Sequence, residues 1–254
     1  MTYIIILNEK EYAEEILRFG YGGVSIHTVI KILAKYYYHI YHFKKQKIVS
    51  EINSFLSKDN SSVLPSELSD LIEKTVLKST KSPLIECDGV PITQNEILTI
   101  QSVKNKVLQR LCFTLLCLAK FHDYANPQNN HWVPESGSDI YSMANISTSS
   151  REQDLKFNTL RDMGLIAFSK KIDNLSVQVL YVDNDSDHVL FINDFRSLGN
   201  EWRLFMGEKY MRCHNCGLLV RQKNNRHMYC DACKKNMQRQ WQRNSMHGLR
   251  LTDL

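Results

Sequence analysis

The chain has 254 residues, with 32 Lys and Arg against 27 Asp and Glu and a net charge of +5, which is long enough for two or more units with apolar cores of their own. Its longest apolar run, Leu111 to Ala119, is far shorter than the ~20 residues of a membrane span, so no membrane partner is expected. An odd count of seven cysteines argues against a disulfide-stapled secreted fold and for a reducing cytoplasm, and Met1–Leu7 is too short and lacks the basic flank of a targeting segment.

Taken in order, Met1–Leu7 reads as a short strand ahead of a helical unit spanning residues 1–92. Apolar positions Ile26, Val29, Ile30, Leu33, Tyr36, Tyr37, Ile40 and Tyr41 recur at three- and four-residue steps, which predicts a helix from Ser25 to Phe43 with a broad buried face. The basic cluster Lys44–Lys47 interrupts this stripe, and Ile48, Ile52, Phe55 and Leu56 begin another that ends in the polar loop Lys58–Ser62. Pro65 and Ser66 then open a helix through Leu68, Leu71, Ile72, Val76 and Leu77. Successive residues point different ways around a helix, so Tyr36, Tyr37 and Tyr38 are expected as core and rim, not as one stacking platform. No nucleotide loop, carboxylate pair or nucleophile motif occurs in this half, and Cys87, Cys112 and Cys117 read as small buried apolar residues.

A second unit is expected over residues 93–197. Thr93 and Glu96 form a capping box that starts one long helix through Ile97, Ile100, Val103, Val107, Leu111, Leu115 and Leu118, apolar nearly all round from Leu108 to His122. His131–Val133 reads as a short strand stopped by Pro134. Ser138 is the expected cap of a helix from Asp139 to Asn145, and Ser149 with Glu152 forms a second capping box opening a helix to Met163. Gly164 stops that helix, Leu165–Phe168 leaves as a strand, Asp173 and Asn174 turn, and Val177–Val182 returns. Val189–Ile192 is a further strand, with Trp202 and Phe205 as anchors beyond it.

Helix, short strand, helix, turn, helix and two strands is the winged helix-turn-helix order. The run Met143–Ser150 followed by Leu160–Ile166 resembles the winged-helix families of bacterial and phage regulators and replication initiators. The resemblance implies duplex DNA as partner, with the second helix in the major groove and the wing along the backbone. By position, Ser149, Ser150, Arg151, Gln153, Asp154 and Lys156 then face DNA, Phe157, Leu160 and Met163 pack inward, and Lys170 and Lys171 meet phosphates. Glu152 and Asp154 run against this, because acids there repel phosphate even though they suit the helix dipole.

The third unit, residues 198–254, carries the most specific signal. Cys213-His-Asn-Cys216 is separated by thirteen residues from Cys230-Asp-Ala-Cys233, the arrangement of a structural Zn2+ site with four thiolate ligands. Gly217 suits the tight turn of a knuckle. Four cysteines complete a tetrahedron, which leaves His214 and His227 as non-ligands, and the competing reading is a pair of redox dithiols or disulfides. Leu218–Val220 is expected as a strand, Asn224 and Asn225 as its turn, His227–Tyr229 as the returning strand, and the residues after Cys233 as a helix. This pattern resembles the treble-clef and zinc-ribbon modules.

Charge is segregated toward that end. From Lys209 onward ten basic residues face two acids, Asp231 and Asp253, for +8, against 22 basic and 25 acidic residues before it, for −3. A cationic module of this kind favours a polyanion through counterion release, with Arg221, Lys223, Arg226, Lys234, Lys235, Arg239 and Arg243 as candidate phosphate contacts. The plainer reading is a solvated surface that offsets the thiolates.

The sequence therefore predicts a mainly α chain with small β elements (α+β), comprising a helical N-terminal unit, a winged helix-turn-helix and a zinc module. The expected function is non-enzymatic, cytoplasmic DNA binding; the resemblance implies a transcriptional regulator or replication accessory factor of a phage or mobile element. The alternative is a protein-interaction factor docking on a polymerase or nucleoprotein complex. A metal-dependent nuclease is disfavoured, because His227 has no second His or Asn at workable spacing and no carboxylate cluster to hold magnesium.

Overall fold

The computed structural model describes residues 5–20, 25–58, 68–169 and 176–251, with side chains in the last helix through residue 243. Among these the chain is mainly helical, with ten helices and three small sheets. It divides into two units, one of Met1–Pro91 and Lys120–Asn130, the other of Ile92–Ala119 and His131–Leu254.

In the first unit α1 (Glu9–Phe19) follows directly on Asn8, whose side chain accepts from Glu11 N. The expected strand Met1–Leu7 is not formed at residues 5–7, and Met1–Ile4 lie outside the described residues; one bridge between Asn8 and Glu86 is all the β pairing there. The cap and its acidic first turn, Glu9 and Glu11, start the helix at Glu9 and leave residues 5–7 irregular.

Ser25 caps α2 (Ile26–His39), which stops short of Phe43 because His42 turns to φ 55°. The Phe43 ring then stacks on Tyr37 at 5.9 Å. The break between the two stripes falls at residues 40–44: α3 (Lys45–Lys58) begins inside the basic cluster and buries Ile48, Ile52 and Leu56, and Lys47 pairs with Glu51 one turn on at 2.6 Å. The expected loop beyond Lys58 and the opening at Pro65 and Ser66 fall on residues 59–67, outside the described residues, and α4 is described from Ser69 to Ser79. Val29, Ile30, Leu33, Ile48, Ile52, Ile72 and Val76 form the fully buried core. Tyr36 and Tyr37 join it while Tyr38 stays 43% exposed, as successive helical directions require.

Inside this apolar unit Lys35 Nζ lies 2.8 and 2.7 Å from the two Glu9 carboxylate oxygens, both side chains being almost fully buried. Glu9 also accepts from Ile85 N at 3.0 Å. Burial lowers the Lys35 pKa although Glu9 opposes the shift.

In the second unit β1 (Val90–Thr93), whose first two residues belong to the first unit, leads into α5 (Gln94–Ser102) through a complete capping box of Thr93 and Glu96. The expected single long helix is two. Val103 is extended at ψ 113°, and Asn105 restarts the chain as α6 (Lys106–Ala125) by accepting from Val107 N at 2.8 Å. Gln109 spans the break by donating to Val103 O at 2.7 Å. From Leu111 to Ala119 α6 is buried throughout, the all-round burial its sequence implies.

β2 (Trp132–Val133) precedes α7 (Gly137–Met143), capped by Ser136 rather than the expected Ser138. Ser149 caps α8 (Ser150–Asp162), but Glu152 does not complete a capping box: its carboxylate goes to Thr148 Oγ1 and Lys156. Phe157 and Leu160 pack inward, with the Phe157 ring edge-on to Tyr141 at 5.2 Å. Met163 does not; it is the C-cap and 48% exposed. β3 (Ile166–Phe168) and β4 (Val177–Val179) pair antiparallel, and β2 adds to β4 through Trp132↔Gln178, giving the order β2-β4-β3. The strand expected to run to Val182 ends at Val179, and Tyr181 instead donates to Cys112 O on α6 at 2.7 Å. The turn at Asp173 and Asn174 lies outside the described residues.

β5 (His188–Ile192) pairs with β1, and α9 (Leu198–Phe205) buries Trp202 against Phe113 at 5.3 Å. Phe205 is a weaker anchor than expected, 38% exposed. A Cβ on Gly199 would lie 1.9 Å from Ala144 O, so α9 approaches the end of α7 more closely than any side chain allows. Gly199→Ala is accordingly expected to cost about 3 kcal/mol, the upper range for overpacking, because backbone and not a flexible side chain must yield. Urea unfolding followed by tryptophan fluorescence, all three tryptophans lying in this unit, measures this, and an unchanged midpoint would contradict the close approach. The unit ends with β6 (Tyr210–Arg212), β7 (Leu219–Arg221) and α10 (Asp231–Leu251).

Candidate metal centre

Both cysteine pairs are set by local backbone geometry. β6 and β7 pair antiparallel through Tyr210↔Arg221 and Arg212↔Leu219, so residues 213–218 form the turn between them. Cys213 N donates to Leu218 O at 2.9 Å and Gly217 N to Cys213 O at 2.8 Å, with Gly217 at φ 71°, where a side chain is strained. This corrects the expected hairpin. Leu219–Arg221 pairs with the strand before the first cysteine pair, and His227–Tyr229 is not a strand; its Met228 O accepts from His214 N at 3.0 Å. The turn at Asn224 and Asn225 is formed, with Arg226 N donating to Asn224 Oδ1 at 2.9 Å.

The second pair sits at the start of α10. Cys230 precedes its first residue and accepts from Cys233 N at 3.4 Å, so its sulfur takes the place of a capping oxygen. Cys213 Sγ accepts from Cys230 N at 3.3 Å.

The four sulfurs of Cys213, Cys216, Cys230 and Cys233 all lie within 4.8 Å of one another. The Cys216–Cys230 separation is 3.8 Å, close to the edge of a tetrahedron with metal–sulfur bonds of ~2.3 Å and far beyond the ~2.0 Å of a disulfide. All seven cysteines are free, which sets the disulfide reading aside for this structure. Three of the four cysteines are buried and Cys216 is half-buried. Burial raises the Cys213 thiol, but N–H donation from Cys230, Cys216 and Asn215 outweighs it and holds the group at about 6; burial pushes Cys216 up to about 12. Sulfurs this close cannot all ionise alone, and a cation at their centre removes that conflict. The donor set fits a metal ion, and neither His214 nor His227 belongs to it.

Around the cysteines and the strands that carry them lie polar contacts whose partners the sequence does not pair. Asn215 Nδ2 donates to Cys233 Sγ at 3.3 Å. Arg196 Nη1 donates to Cys216 O at 2.9 Å while its guanidinium is held by Asp194 at 2.8 Å. Arg212 pairs with Glu201 on α9 at 2.9 Å. A second chain runs from Arg110 to Asn145 O at 2.8 Å, from the Asn145 amide to Asn200 at 2.8 Å, and from Asn200 to Leu219 O on β7 at 3.3 Å. Of these residues Asn215, between two cysteines, and Arg212, a cation beside the first of them, carried a local signal. Asn215→Ala is expected to weaken metal binding roughly 10- to 100-fold, as removal of an outer-shell partner does; chelator competition measures it, and unaltered retention would contradict the role given to this amide.

The cationic residues gather outside the centre. Arg221, Lys223, Arg226, Lys234, Lys235, Arg239 and Arg243 are all exposed. A cleft of about 290 Å³ is lined by Lys223, Arg226, His227, Asp231 and Lys234 among others. Lys223 pairs with Asp231 at 2.9 Å and lowers its pKa, and His227 Nδ1 accepts from Lys223 N at 3.2 Å. From Lys234 to Arg243 every residue of α10 is exposed, including Trp241 at 72%.

On α8, Ser149, Ser150, Arg151 and Asp154 are exposed, while Gln153 and Lys156 are half-buried. Gln153 Oε1 lies against Gly137, and Lys156 is engaged by Glu152 at 3.6 Å and Thr148 at 3.3 Å. Lys170 and Lys171 fall outside the described residues. No protein-family model, curated protein or solved structure matches the chain.

Proposed function

We propose that the protein binds nucleic acid without catalysing a reaction on it. One structural Zn2+ on Cys213, Cys216, Cys230 and Cys233 orders the cationic end, which supplies phosphate affinity. The α7–α8 pair and the β3–β4 strands act as a winged helix-turn-helix that sets register on duplex DNA through Ser149, Ser150 and Arg151. Four soft sulfur donors in a closed site favour zinc, and a closed site is structural, not catalytic.

The observation carrying this reading is the surface of α10. Between Lys234 and Arg243 it has four cations, no acid and no buried side chain. Apart from Met237 and Trp241, both exposed, this stretch is polar, and a helix that buries no side chain gains little from packing within its own chain; a cationic one gains most from a polyanion, whose counterions it releases. Fluorescence anisotropy with labelled duplex and single-stranded DNA at low salt tests this. Saturable binding by the full chain is expected; indifference to every duplex and single strand would overturn it.

A second reading, docking on a protein machine, is favoured by the exposed α8 face itself, where Glu152 and Asp154 lie in the first turns and Leu155 is 59% exposed. Nuclease-treated co-purification that returns a stoichiometric protein partner would support that reading over DNA contact by α8.

A further inference from the structure

The first unit, to which the proposed function gives no role, has an open groove of about 420 Å³ between α2 and α4. Its walls carry His27 and Lys31 on α2 and Lys74 and Lys78 on α4, and Thr75 and Ser79, each only 5% exposed, lie between them. The four-residue spacing on each helix places successive basic groups about 6 Å apart along its axis. Among the described residues no carboxylate lines the groove. Among the described residues none of Lys31, Lys74 and Lys78 forms an ion pair. Three like charges facing one opening repel one another, and bound anions would relieve that repulsion.

We infer that this groove binds a phosphate-bearing anion with two or more adjacent charges. Lysine is a compact point charge suited to phosphate, whereas carboxylate recognition draws on the planar fork of arginine, and no arginine lines the groove among the described residues. The volume matches that of small-ligand sites. The shared chemistry is a polyphosphate group, whether of a free nucleotide or of a nucleic-acid backbone.

The test uses inorganic triphosphate as probe, in equilibrium dialysis with the full chain carrying Arg226→Gln and Lys234→Gln. These changes reduce phosphate binding at the tail, so a failure of the groove stays separate from a failure of the proposed function. Saturable binding is expected, weakened about tenfold or more by Lys74→Gln with Lys78→Gln, as removal of charge-assisted hydrogen bonds implies. Far-UV circular dichroism checks that the exposed replacements leave the fold intact, and Lys31→Gln on the opposite wall must weaken binding as well. Displacement of the probe by a nucleoside triphosphate but not by an oligonucleotide assigns the groove to free nucleotides; displacement by the oligonucleotide assigns it to a nucleic-acid backbone. Absent binding, an affinity indifferent to all three lysines, or equal displacement by polyglutamate would overturn the inference.

Discussion

Replacing Cys213 by serine is expected to remove the metal and release the segment from Cys213 to the start of α10. The physical reason is how little else holds this segment: among its described residues Leu219 is the one buried apolar side chain besides the cysteines. Its buried cluster is Cys213, Cys230 and Cys233, with only Cys216, Val220 and Tyr229 packed around them. A four-thiolate zinc site contributes about 10–16 kcal/mol in small metal-dependent folds, several times the ~3 kcal/mol that burying one large apolar side chain provides. Metal analysis should find one zinc per chain in the parent and a substoichiometric amount in Cys213→Ser. Hydrogen exchange should show reduced protection at the amides of Cys230, Cys233 and Lys234, while α6 keeps its own. Undiminished protection there after metal removal would contradict a metal-built module.

The second large effect is expected in the first unit. Lys35→Met leaves the Glu9 carboxylate buried with only the Ile85 N–H to satisfy it, and stranding one member of a buried pair costs about 3–5 kcal/mol. Adding Glu9→Gln removes the stranded charge yet keeps an oxygen for Ile85 N, so the double variant should recover about 2 kcal/mol of that cost. All three tryptophans, Trp132, Trp202 and Trp241, belong to the other unit, so hydrogen exchange in α2 is the suitable probe. A Lys35→Met protein within about 1 kcal/mol of the parent would show the pair to be reached by water.

What was legible in the sequence was local chemistry. Two Cys-x-x-Cys pairs converge because each lies on a turn defined by its own residues: the knuckle by Gly217, the second pair by a helix start that the Cys230 sulfur caps. Helical periodicity placed α2, and capping residues placed the starts of α5 and α8. What was not legible depends on which neighbours meet. Leu219–Arg221 has strand character, but only the turn geometry decides that it pairs with Tyr210–Arg212 and not with His227–Tyr229. The apolar stripe from Ile97 to Leu118 keeps its period across Val103, so the break enforced by Asn105 and Gln109 left no mark on it. The chain of bonds from Arg110 through Asn145 and Asn200 to Leu219 joins residues up to 109 positions apart, beyond any reading of spacing.

The claim on which the proposed function rests is that the exposed cations of the four-cysteine end bind phosphates. Its most direct measurement is the slope of log K against log salt for duplex binding, in the parent and in a chain carrying Arg226→Gln, Lys234→Gln, Lys235→Gln and Arg239→Gln. Neutralising one phosphate-binding cation should flatten the slope by roughly 0.9, so the four together should flatten it by about 3.6. Equal slopes in the two chains would contradict the account.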